Sequence, residues 1–134
     1  MAEKEDQVSF FRKLFSREEP EDAPITLDLD RRRTQLIRLE KALDALAAEM
    51  RADHTTDDPG WRGRVNEYSR LAGETMAVRK GTPTRDAVLD LVFEVRPVFT
   101  GEIPPGMEAI GPLQAEVMAA AADLRQLLPG EKKG

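Results

Sequence analysis

The sequence predicts an all-α fold, a small helical bundle of about four helices with an appended N-terminal amphipathic helix. Apolar residues return at helical spacing in separate stretches, cap and proline signals stand between those stretches, and only one short run alternates in the manner of a strand. A chain of 134 residues fits one domain. Its organisation reads as a docking segment and acidic linker at 1–24, a bundle at 25–128 and a polar tail at 129–134.

The first element is a helix over residues 8–17. On a helical wheel Val8, Phe10, Phe11, Leu14 and Phe15 fill one arc, and Ser9, Arg12, Lys13, Ser16 and Arg17 fill the other. An acidic, proline-containing stretch, Glu18 to Pro24, separates it from the rest of the chain. The second element runs from about Leu27 to Ala52. Leu29, Leu36, Leu39, Leu43, Leu46 and Met50 form a heptad seam in which Arg32 occupies the missing position. Thr26, Asp28 or Asp30 is the expected cap. Arg31, Arg32 and Arg33 stand in the first turns, where the helix dipole disfavours positive charge, so pairing with Asp28 and Asp30 is expected.

Asp53 to Gly60 reads as a polar turn, with Asp58 capping a helix at about Pro59 to Lys80. Trp61, Val65, Tyr68, Leu71, Ala72 and Met76 are its expected buried stripe, with Gly63 and Gly73 outside it. Gly81 ends that helix and Thr82-Pro83-Thr84 starts the next. The run Val88 to Val95 also alternates like a strand, but a strand needs partners for its backbone hydrogen bonds and no other convincing strand exists, so a central helix is the reading. From Arg96 to Pro112 prolines and glycines forbid a long helix, although a turn or two fits near Met107 to Ile110. Phe99, Ile103, Met107 and Ile110 are too apolar for a solvated linker, and the loop is expected to pack over the bundle or to form a groove rim. A last helix is expected at about Leu113 to Leu128, stopping at Pro129-Gly130.

Composition narrows the function. Hydrophobic residues make up 40% with one Trp and one Tyr, so the core must come from aliphatic stripes. Cysteine is absent, which removes disulfides and thiol chemistry and favours the cytoplasm. No run of 18 apolar residues occurs, so nothing spans a membrane. The bias to alanine, and to arginine over lysine, is associated with bacterial genomes rich in G and C. His54 is the sole histidine and lacks a ligand pair, and neither a nucleotide motif nor a serine with a neighbouring base is present, so no cofactor, no metal and no catalytic residue is expected. Arg31 to Arg33 with Arg38, and Arg62, Arg64, Arg70, Arg79 and Lys80, are interleaved with acids and lack an aromatic platform. With a net charge of −5, this disfavours nucleic acid.

The amphipathic segment is the feature that calls for a partner. Helix-in-groove recognition uses anchors with the spacing of Val8, Phe11, Leu14 and Phe15, flanked here by Phe10, Arg12 and Lys13. A peripheral membrane role for the same helix meets an opposing charge, because residues 1–22 hold four bases against seven acids. The helix also fits a seat on its own bundle, and the alanine-spotted face at Ala45 and Ala48 is compatible with a homodimer. The expectation is a non-enzymatic, cytoplasmic helical adaptor or assembly module that docks another protein through residues 8–15. The alternatives are a membrane-peripheral protein and a small-ligand-binding bundle with the 97–112 loop as rim.

Overall fold

The computed structural model of the protein describes residues 26–52 and 58–131. Among these residues there are four helices and no strand: α1, Leu29–Arg51; α2, Pro59–Lys80; α3, Arg85–Phe93; and α4, Ile110–Arg125. The all-α bundle expected from the sequence is the fold.

Local chemistry sets most of the boundaries. Asp28 caps α1 by accepting from the Arg31 amide, Asp58 caps α2 ahead of Pro59, and the Thr84 hydroxyl accepts from the Ala87 amide to start α3. The stretch with two readings is a helix, and it is less enclosed than its apolar content suggests: Val88, Leu91 and Val92 are buried while Phe93 is 69% exposed. The last helix begins at Ile110 rather than Leu113. Pro112 sits within its first turn, where the missing amide hydrogen would have had no helical partner and the fixed φ suits a helix. It ends at Arg125, and Leu127 beyond it is 46% exposed.

The long helix α1 packs against both α2 and α4, and α3 closes the bundle against α4 and α2. Hydrogen bonds at the helix ends fix the directions. The Arg33 side chain at the start of α1 donates to the carbonyls of Arg79 and Gly81 at the end of α2, while Trp61 at the start of α2 donates through Nε1 to the Met50 carbonyl at 2.9 Å. The two helices are therefore antiparallel, and each contact satisfies carbonyls that a helix C-terminus leaves without partners. Arg32 reaches the carbonyls of Leu124 and Gln126, which makes α1 and α4 antiparallel as well.

The core is the seam read from the sequence. Leu36, Leu39, Leu43, Leu46 and Met50 of α1 meet Val65, Tyr68, Leu71 and Ala72 of α2 and Val117, Ala120, Ala121 and Leu124 of α4, all buried. On α2 the stripe shifts at its end: Met76 is exposed and Thr75 is buried in its place. The Thr75 hydroxyl donates to the Leu71 carbonyl one turn back at 2.7 Å, which allows a polar side chain to face inward. Gly63 and Gly73 are exposed with open space where a Cβ would stand.

Arg32 departs furthest from expectation. Only Arg31 of the three consecutive arginines pairs with Asp28, at 2.9 Å. Arg32 is fully buried, and its Nη2 meets Glu131 Oε1 at 2.6 Å with Nε donating to Oε2 at 3.0 Å. Pro129 to Glu131, read as the start of a polar tail, turn back onto the bundle instead. Gly130 takes φ of +94°, a conformation that favours glycine, and the Glu131 amide bonds the Leu128 carbonyl at 2.9 Å. Glu131 also accepts from the amides of Asp28 and Leu128, so the carboxylate is saturated by donors. Burial alone would raise its pKa, but those hydrogen bonds and the Arg32 charge hold it down at about 2.

Candidate interaction surfaces

The chain enters the described bundle at Thr26, and it does so at the junction of α1 and α4. The Asp28 amide donates to Glu131 and Arg31 Nη2 donates to the Pro129 carbonyl, so the residues preceding α1 lie against the turn that follows α4. The predicted docking residues Val8, Phe10, Phe11, Arg12, Lys13, Leu14 and Phe15 lie outside the described residues, as does His54.

The 97–112 segment packs over the bundle. Tyr68 is fixed beneath it, its hydroxyl donating to the Arg96 carbonyl while Arg64 bridges that hydroxyl and the Pro97 carbonyl. Gln114 mimics a backbone partner for Phe99, accepting from its amide and donating to its carbonyl, each at 3.0 Å. The Phe99 ring stacks on Trp61 with centroids 6.2 Å apart. Met107 packs against the core, Ile110 is buried as the first residue of α4, and Ile103 Cδ1 lies where a Cβ on Gly111 would come within 2.9 Å. All four side chains proposed for a groove rim thus cover the bundle, and none lines the groove between α1 and α4.

That groove lies between α1 and α4 and has a volume of about 450 Å³. Ile37, Ala42 and Ala45 of α1 and Leu113 of α4 give it an apolar floor, with Thr34, Arg38, Lys41 and Glu116 around them. Two alanines in register along α1 make it hollow, because a larger side chain at either position would fill it. Ile37 is 39% exposed there. Arg38 forks across the α4 side, contacting Glu116 at 2.7 Å and Asp123 at 2.6 Å, and its hydrogen bond pulls the Glu116 carboxyl below the usual range. The alanine spacing in the sequence marks Ala45 as part of a face able to meet another chain. It gives no sign that Ile37 and Leu113, 76 residues apart, share that face.

A second exposed apolar pair lies at the ends of the last two helices. Phe93 carries the Arg125 guanidinium 6.0 Å from its ring centre, and Leu127 is half exposed. Arginines of the candidate basic ridge are engaged in ion pairs: Arg64 with Glu67 at 3.2 Å, Arg70 with Glu74 and Glu94, Arg79 with Glu40 at 2.5 Å. Among the described residues no three His, Asp or Glu side chains gather as metal ligands, and no helix is long and apolar enough to cross a membrane.

No family model matches this chain, and comparison with curated proteins and with solved structures finds no match to either. What the structure defines is a class, a small all-α bundle with an open groove along one helix pair. Its particular role rests on its own residues.

Proposed function

We propose that the protein is a non-enzymatic helical adaptor or assembly module that docks another protein through the segment Val8 to Phe15. The observation that carries this is that the described helices supply one another's aliphatic partners. The aliphatic side chains of α1, α2 and α4 bury one another, with Val88, Leu91 and Val92 of α3 and Val95 completing the cluster. Three phenylalanines stand on one face of residues 8–17, and their i, i+3, i+4 and i+7 spacing with neighbouring Val8 and Leu14 suits a hydrophobic groove on another protein. Absence of cysteine supports a cytoplasmic setting, where thiol crosslinks have no part in assembly.

The test is a double substitution, Phe11→Asp with Phe15→Asp, in the full chain. Recovery of the cross-linked partner is expected to be lost while the bundle still unfolds cooperatively. Partner recovery that survives the double substitution would sink the proposal.

A further inference from the structure

The groove between α1 and α4 has an apolar floor, a rim of both signs and no covering side chain from α2 or α3 among its lining residues. Its position relative to the chain entry is informative. Residues ahead of α1 are held at the end of the α1 and α4 pair by the Asp28 to Glu131 and Arg31 to Pro129 contacts, so the chain emerges at one end of this same trough. From Thr34 to Ala45 the groove follows α1 for about 16 Å, and a ten-residue helix over 8–17 is about 15 Å long. The eight residues 18–25 extend to at most about 26 to 29 Å, ample to turn the segment back along the groove. We infer that residues 8–17 seat in the α1–α4 groove of their own chain, antiparallel to α1, with Phe11, Leu14 and Phe15 over Ile37, Ala45 and Leu113.

The chemistry of the two surfaces matches. The segment offers large rings and no small residue on its apolar face, and the floor offers two alanines beside Ile37 and Leu113. On the rim, Glu116, which Arg38 already holds, is the acidic group for Arg12, Lys13 and Arg17 of the segment's polar face. The seat is a resting position on an exposed face, released without unfolding the bundle, and it goes beyond the proposed docking role without depending on it. A partner that takes the phenylalanines would compete with the groove.

The absence of cysteine allows a single labelling site in the full chain. Ala48 is exposed on α1, one turn beyond Ala45, and a nitroxide on Ala48→Cys is expected to erase the amide NMR signals of residues 10–15 in dilute solution. Ile37→Glu, a change at an exposed position that leaves the core intact, is expected to restore them and to remove hydrogen-exchange protection from the same amides in the unlabelled chain. Signals that persist with the nitroxide in place, or exchange that is unprotected with and without Ile37→Glu, would overturn the inference. Signal loss passing only from a nitroxide-bearing chain to a separate isotope-labelled copy would overturn it too, assigning the groove to a second copy. Loss of partner recovery on Phe11→Asp with Phe15→Asp, with no nitroxide effect, would remove the seat and leave the adaptor role standing.

Discussion

A guanidinium and a carboxylate are both withdrawn from water where Arg32 meets Glu131, and neither is short of donors or acceptors. Arg32 is also bonded to Gln35 and to the last carbonyls of α4. Replacing Glu131 by Gln keeps the shape and one acceptor but leaves a buried positive charge, and an interior pair broken from one side costs about 3 to 5 kcal/mol. The denaturant midpoint at neutral pH is expected to fall by the equivalent of about 3 kcal/mol, with the slope unchanged. The pair also sets an acid response. A glutamate free in the unfolded chain titrates at about 4.3, and Glu131 in the fold at about 2, so its contribution is complete above the unfolded value. That contribution is lost as pH falls through about 2. Between about pH 5 and 2 the wild-type midpoint is expected to drop more steeply than that of Glu131→Gln; equal slopes would deny the pair its role. Arg32 stands at a seam position of α1, a sign of burial that the expected pairing with Asp28 and Asp30 passed over. Glu131 gave no such sign, because its partner is 99 residues away and the residues around it are proline, glycine and lysine.

At the scale of elements, punctuation was legible and depth was less so. Asp58-Pro59 and Thr84 located the starts of α2 and α3 because a cap is local chemistry, written within three residues of where it acts. The start of α4 was displaced because proline was read as a barrier, whereas in a first turn it is compatible with helix. The exchange of Met76 for Thr75 on α2 shows the other limit: a hydroxyl that can bond the carbonyl one turn back is admitted to the interior, and hydropathy alone does not register it. The loop residues Phe99, Ile103, Met107 and Ile110 were recognisable as apolar, but whether they would cover a bundle or edge a groove depended on Gln114 and Tyr68, which lie in other elements. Gly73 offers a direct check on helix energetics. It is mid-helix and exposed, with nothing within 4 Å of the Cβ it lacks. Gly73→Ala should raise stability by about 1 kcal/mol, read as a higher thermal midpoint. No gain would mean that this face of α2 is occupied.

For the whole molecule, the order in which contacts form matters as much as their number. α1 and α2 are consecutive and antiparallel, so their seam can assemble from neighbouring parts of the chain. The Arg32 and Glu131 contact, by contrast, closes a circuit that includes nearly every described residue. Dehydrating a guanidinium is unfavourable until its carboxylate is in place, so this contact belongs on the native side of the folding barrier. In a stopped-flow chevron, Glu131→Gln is expected to accelerate unfolding and leave the refolding rate nearly untouched; a slowed refolding limb would put the pair inside the nucleus. The bundle is thereby fastened last and from its two ends. The pair then lengthens the lifetime against unfolding without hastening assembly, whose speed is left to the hydrocarbon seam.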